Sequence, residues 1–349
     1  MIVFRIIFIL LVSLVSVLEA GNWVKYGWQL YDNAGDARMV ALGNAQGVNG
    51  EQSVSLLVNP AMRNIRNLNH IVYAHQSRFA GMVQNDLLGF TLQKNFTYPL
   101  HVILLQQHIA GIPNTRDGLL DWGADGIPGT LDAGEGNGIL DEGERLDPDR
   151  IKSFHQQQWG LYLATNTTSQ GWQLGVGIKT IFHSLDNHYA SGIGLNVGLT
   201  RSLGRIFSFG ATLQDASTSW LIWENGTVER MLPTLILGLG MDHRLPMVAW
   251  PVKGYVDILL DGNGEALANT WSRVNTRAGL ELQPKASLRV RVGFSELGQL
   301  TGGLGIQKVQ WTFDYAYRPA PASTILGPTH MLTFGLNLEW IMRFIGLSA

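Results

Sequence analysis

Thr333-Phe334-Gly335-Leu336-Asn337-Leu338-Glu339-Trp340 alternates polar or small residues with large apolar ones and finishes on an aromatic ring. A period of two is what a strand shows when its two faces meet different surroundings. Leu332, Phe334, Leu336, Leu338 and Trp340 fall on one face, and Thr333, Gly335, Asn337 and Glu339 on the other. In a membrane-spanning barrel the first face meets acyl chains and the second a wet lumen. A strand of a soluble sheet alternates in the same way, so the rest of the chain has to decide between them.

The other end of the chain points to export. Arg5 precedes an unbroken apolar run from Ile6 to Val12, continued by small and apolar residues to Leu18 and closed by Glu19 and Ala20. This predicts a signal peptide over residues 1–20, cut after Ala20. The run is short for a membrane anchor, and no later apolar stretch is comparable, which argues against a helical membrane protein. The 349 residues include no cysteine, 41 glycines and 11 tryptophans, and only 15% are charged. Low charge and high glycine without a collagen-like period suit many strands, tight turns and close backbone approach. Trp159, Trp172, Trp250, Trp271, Trp311 and Trp340 fall near strand ends, where indole rings form girdles at membrane interfaces. A net charge of -2 gives no argument for a nucleic-acid partner.

Strand-like stretches separated by turn signals recur along residues 67–340, at 69–78, 86–95, 99–110, 154–167, 170–184, 190–203, 206–216, 231–243, 251–262, 273–283, 287–296, 300–307, 309–318 and 329–340. About fourteen such stretches predict an all-β transmembrane antiparallel barrel in the bacterial outer membrane, where single-chain barrels have even strand numbers. Residues 341–349 would follow as a C-terminal tail. The alternation sorts the ionisable residues. Arg289 and Arg291 oppose Leu288, Val290, Val292 and Phe294; Asp314 and Arg318 oppose Trp311, Phe313, Tyr315 and Tyr317; Arg277 and Glu281 oppose Val274, Ala278, Leu280 and Leu282. A charge at the bilayer midplane costs roughly 2 to 4 kcal/mol, so these side chains belong in the lumen. Their mixed signs favour an interior salt-bridge network that rigidifies the wall over a ligand site.

Residues 21–66 do not read like the barrel strands. Asp36 is suited to cap a short helix over Ala37–Leu42, and Asn59-Pro60 reads as a turn followed by a proline-initiated helical turn. Two short amphipathic turns before the first strand predict a plug inside the barrel, with a periplasmic extension as the alternative. The run Gly35-Asp36-Ala37-Arg38, then Leu42-Gly43-Asn44-Ala45 and Asn59-Pro60-Ala61, resembles the N-terminal signature of the FadL-like superfamily of outer-membrane proteins, in particular its PorV/PorQ branch. That signature usually has Met-Gly-Gly-Ala where this chain has Leu42-Gly43-Asn44-Ala45. The resemblance implies a fourteen-stranded barrel with an N-terminal hatch. Thr333, Gly335, Leu338 and Trp340 likewise resemble the terminal signal read by the outer-membrane barrel assembly machinery, although such chains often stop at the aromatic residue.

Between the third and fourth strands, residues 114–150 concentrate carboxylates and glycines. Calcium takes six to eight oxygens from a sharply turning loop, and two abutting twelve-residue frames approach that pattern. Asp121, Asp125 and Asp132 serve the first, with Gly123 where a third ligand would stand; Glu135, Asn137, Asp141 and Glu144 serve the second, with Ala133 at its first position. The two readings are structural calcium loops that order a long extracellular segment and a flexible, solvated acidic loop.

His101, His108, His155, His183 and His188 lack ligand spacing, and neither a phosphate-binding glycine loop nor a nucleophile elbow is present in the sequence. An enzyme is therefore not expected. The resemblance implies either passive uptake of hydrophobic molecules such as fatty acids, or a type IX secretion accessory that binds exported proteins at the surface. Outer-membrane lipid is the expected surroundings in both cases.

Overall fold

Period-two patterning becomes a closed antiparallel barrel. The computed structural model describes residues 27–32, 34–48, 50–62, 70–93, 96–245, 249–262, 273–320, 327–344 and 346, so the predicted signal peptide lies outside the described residues. The ring is built from β1 (His70–Arg78), β2 (Val83–Leu92), β3 (Leu100–Asn114), β4 (Lys152–Ser169), β5 (Trp172–Leu185), β6 (His188–Leu203), β7 (Phe207–Gln214), β8 (Thr234–Arg244), β9 (Pro251–Asp261), β10 (Arg273–Lys285), β11 (Leu288–Phe294), β12 (Leu300–Gln307), β13 (Trp311–Arg318) and β14 (Thr329–Asn337). Each pairs antiparallel with its sequence neighbour, and β14 returns to β1 with His70 opposite Asn337. Of the sixteen strands in this sheet, two form a hairpin, Ser219–Trp223 and Val228–Met231, that pairs onto β6, leaving fourteen in the closed ring. Closure pairs both edges of the strands in the fourteen-membered ring, which a bilayer with no water to hydrogen-bond requires.

The predicted faces hold. On β14, Leu332 and Phe334 are 44% and 41% exposed, whereas Thr333 and Met331 are buried. Val290, Val292 and Phe294 on β11 point out, and Arg289 and Arg291 point in and are buried. An apolar exterior around a polar interior makes this a membrane-spanning barrel of the outer-membrane type. Both ends of the ring and the tight turns at 170–171, 204–206, 286–287 and 308–310 lie at one end, which is therefore the periplasmic one. Longer connections, including 115–151 and 215–233, leave from the extracellular end.

The last strand is shorter than its alternation predicts. β14 stops at Asn337, and α3 (Leu338–Phe344) follows. The Asn337 side-chain oxygen accepts a hydrogen bond from the Trp340 backbone N–H at 3.2 Å, a side-chain cap that turns the chain into a helix. Thr333 and Gly335 thus sit on the strand's inner face, while Leu338 and Trp340 belong to the helix and not to a lipid-facing strand.

Candidate functional site

Short elements before β1 fill the middle of the lumen. They are α1 (Gln29–Asp32), α2 (Ala37–Ala41) and a 3-10 turn (Ser53–Leu57). Asp36 caps α2 as its sequence predicts, its carboxylate accepting the Met39 N–H at 2.7 Å. The 3-10 turn precedes Asn59, and residues 63–65 of the helical turn predicted after Pro60 lie outside the described residues. Asn59 accepts the Ala61 N–H at 2.9 Å and closes a turn at Pro60 and Ala61, while its amide donates to the Gly47 carbonyl at 2.8 Å. An asparagine that satisfies the backbone two residues on competes with helix continuation.

Contacts reach this segment from most of the wall. The Leu30 N–H donates to Gln158 on β4, the Gly47 N–H to Asp257 on β9 at 2.9 Å, and the Ala37 N–H to Thr333 on β14 at 2.8 Å. Tyr162 and Gln214 donate to the carbonyls of Leu56 and Leu57, and Thr301 to that of Ala41. Partners on β4, β7, β9, β12 and β14 hold the described residues of 27–62 against the inner face of the ring.

Two ionic groups hold the segment. Arg38, 2% exposed, donates through Nε to Glu281 at 2.9 Å and through Nη2 to the Tyr255 hydroxyl at 3.0 Å. Glu281 also receives Arg291, which bridges on to Asp314. Nearby, Glu51 pairs with Lys253 at 2.7 Å and with Arg289. Of the predicted lumen charges, Glu281, Arg289, Arg291 and Asp314 converge here, and the network ties the inner segment to the wall rather than bracing the wall alone. Arg277 lies apart, bidentate to Glu296 at 2.8 and 3.0 Å, and Arg318 lies at the extracellular rim. A third anchor, Lys179 to Asp215 at 2.6 Å with Trp28 and Tyr31 stacked over the ammonium, was not foreseen. Its available signal was the inward parity of Lys179 against the outward Val176, Ile178 and Phe182 of β5.

Backbone contact completes the seat. Gly43 is left-handed (φ 64°), and a Cβ there would lie 2.4 Å from the Phe294 carbonyl oxygen; one on Gly293 would lie 2.1 Å from the Gly43 nitrogen. Likewise a Cβ on Gly175 would meet the Pro60 carbonyl at 2.2 Å and one on Gly210 the Gly47 oxygen at 2.3 Å. The wall is cut away with glycine where the inner segment touches it, which accounts for part of the high glycine content.

Cavities remain on both sides of the seat. The extracellular one, about 340 Å³, is lined by Tyr31, Lys179, Asp215, Asp261, Arg277 and Glu296 among others. It adjoins a smaller pocket of about 100 Å³ with which it shares Asp32, Ala34, Asn44 and Glu296. A periplasmic cavity of about 260 Å³ is lined by Gln173, Thr200, Arg201 and Asp242.

The acidic insertion starts from a two-stranded base, Leu119–Leu120 with Arg145–Leu146. Asp121 accepts the Gly136 and Gly138 N–H groups at 2.8 and 2.7 Å, Asp132 that of Asp125 at 2.8 Å, and Glu144 those of Gly123 and Asp141. Hydrogen bonds from the Gly138 and Gly136 amides hold the Asp121 carboxyl below the usual carboxylate range. Glu135 accepts from Gly129 and Leu131, and the Asn137 amide donates to Asp141 at 2.6 Å. Among the described residues no three carboxylates or histidines converge on a point that could hold a metal ion.

No family model matches the chain, and no curated protein matches it. Solved structures do. The toluene transporter TodX of P. putida is similar with a TM-score of 0.55 at 12% identity, covering 87% of this chain and 98% of that one. The Ralstonia pickettii toluene transporter TbuX is similar with a TM-score of 0.50 at 11% identity, covering 88% and 99%. These likenesses show the fold, a closed antiparallel β-barrel of the outer-membrane type.

Proposed function

We propose that the protein is a passive outer-membrane channel for hydrophobic small molecules, with residues 27–62 as its hatch, and that it belongs to the PorV/PorQ branch of the FadL-like superfamily. The observation that carries this reading is an inner segment held by side-chain ion pairs and hydrogen bonds between an extracellular and a periplasmic cavity. Such contacts can be exchanged for a passing molecule without unfolding the ring, whose stability resides in its own strand ladders. The extracellular cavity is polar, so a molecule with a polar head and an apolar body suits it better than a pure hydrocarbon. Uptake of labelled dodecanol and toluene into cells or liposomes carrying the barrel tests the proposal. Uptake above empty controls, raised by variants that loosen the hatch, is expected; rates equal to the controls would refute it.

One observation favours the second reading, an accessory that binds exported proteins in type IX secretion. Ile127, Leu131, Ile139 and Leu140 are exposed on the structured extracellular insertion, Leu131 by 90%. Apolar side chains presented on an acidic, hydrogen-bonded loop suit a grip on a protein. A photo-crosslinker at Leu131 distinguishes the readings: capture of exported proteins supports the accessory role, and labelling of lipid alone supports the channel.

A further inference from the structure

Arg78 and Arg318 end β1 and β13 at the extracellular rim and face the lumen, two strands apart. Arg318 lies opposite Thr329 of β14, and Ser77 opposite His330, so Arg78 is next in register beside the same threonine. That puts the two arginine backbones about 10 Å apart on one face, two interstrand spacings. Both line the pocket of about 100 Å³ above the inner segment, together with Gln76, Glu296, Gln299 and Thr329, the last on the strand between them.

Among the described residues only Arg318 has a carboxylate acting on it, Glu296 from beyond ion-pair distance; Arg78 has none. Arg78 Nε is buried without a hydrogen-bond partner, and among the described residues neither guanidinium has a carboxylate within 4 Å. Glu296, which shares the pocket, is already bidentate with Arg277, and Asp32 has a contact of its own. The Arg78 guanidinium rests 4.9 Å over the Phe79 ring. Phe79 and Ala80 are both left-handed without being glycine (φ 54° each), so strained backbone holds that platform at the rim. Arg78, with a buried unpaired donor and no carboxylate acting on it, faces the like charge of Arg318 across one small pocket, and an anion between them would relieve that repulsion.

We propose that Arg78 and Arg318 form an oxyanion site at the extracellular mouth, which takes a phosphate or carboxylate group with Thr329 contributing its hydroxyl. The site rests on the channel reading only in treating this cavity as the outer mouth. A ligand's anionic head would be held here while its apolar body met the rim.

Calorimetric titration of the full-length barrel in uncharged amphipol, with dodecyl phosphate, dodecanol and inorganic phosphate as probes, tests the proposal. The wild type is expected to bind dodecyl phosphate at least about tenfold more tightly than dodecanol, with a preference that shrinks as salt is raised. Arg78→Gln with Arg318→Gln should abolish the preference, and the paired Lys variant should restore part of it, each checked for the heat-dependent gel shift of a folded barrel. Competition by inorganic phosphate alone would identify a free anion as the ligand; competition only by the dodecyl compound would identify a headgroup. Equal binding of dodecyl phosphate and dodecanol by the wild type, or a preference unchanged in the Gln variant, would overturn the site. Because binding is read at equilibrium, absence of flux would sink the channel reading and leave the oxyanion site standing.

Discussion

Replacing Arg38 with Met keeps the length of an apolar stem and removes the charge that couples α2 to the wall. In the native arrangement Glu281 accepts from both Arg38 and Arg291, and Arg38 also reaches Tyr255. Arg291 still neutralises Glu281 in the variant, so the change leaves no isolated buried carboxylate. What is lost is a buried, charge-assisted contact between two bodies, and breaking such a contact costs about 3 to 5 kcal/mol when one partner is removed. The residual pairing through Arg291 puts the expected cost at the low end, about 3 kcal/mol, a factor of roughly 100 in the docking equilibrium. Hydrogen exchange by mass spectrometry reads this directly. Peptides spanning residues 37–48 should lose about 100-fold protection, while those from β4, β5 and β6 stay unchanged because their ladders do not involve Arg38. Glu281→Gln should act in the same direction and more strongly, since it strands Arg38 as well as loosening Arg291. Unchanged exchange over residues 37–48, or equal loss across the ring, would refute the idea that this segment docks as a separate unit.

Gly293→Val places side-chain atoms where the Gly43 nitrogen lies 2.1 Å from a Cβ position, so it should expel the inner segment and raise single-channel conductance in planar bilayers while the barrel still assembles. Burial alone would raise the Glu296 carboxyl, but Arg277's charge and paired hydrogen bonds outweigh it and hold the group below the usual carboxylate range. A depressed folded-state pKa contributes stability above the unfolded value of roughly 4.3 that is lost as pH falls through the folded one. Protection of residues 295–299 should therefore drop on acidification below about pH 4, and Glu296→Gln should remove that dependence. In the insertion, the carboxylates already accept backbone N–H groups, so proteolysis of residues 115–151 should be accelerated by Asp121→Ala and be the same with calcium or with a chelator. Protection that disappears on chelation would instead establish the calcium loops.

What the sequence made legible follows from the range over which each signal acts. Lipid on one face and water on the other impose a choice at every residue, so the register of β11, β13 and β14 could be read from neighbours two positions apart. All fourteen strands were accordingly found in their places. Asn337 shows where that logic stops. The alternation runs on through Trp340, yet one side-chain oxygen within reach of a backbone N–H three residues later redirects the chain into a helix. Period-two patterning describes the solvent on each face and is silent about such a cap. The seat of the inner segment was illegible for a different reason. Arg38 and Glu281 are separated by 243 residues, and Ala37 and Thr333 by 296, so no local pattern links them. Gly175, Gly210 and Gly293 entered only as part of a high glycine content, because a missing side chain carries no mark of what approaches it. Parity sorted the charges onto one face of each strand, but their partners depended on which backbone was threaded past them. That threading changes their role: a ring of mixed charges facing water would brace the wall, whereas the same charges bonded to an enclosed segment set how firmly that segment is held.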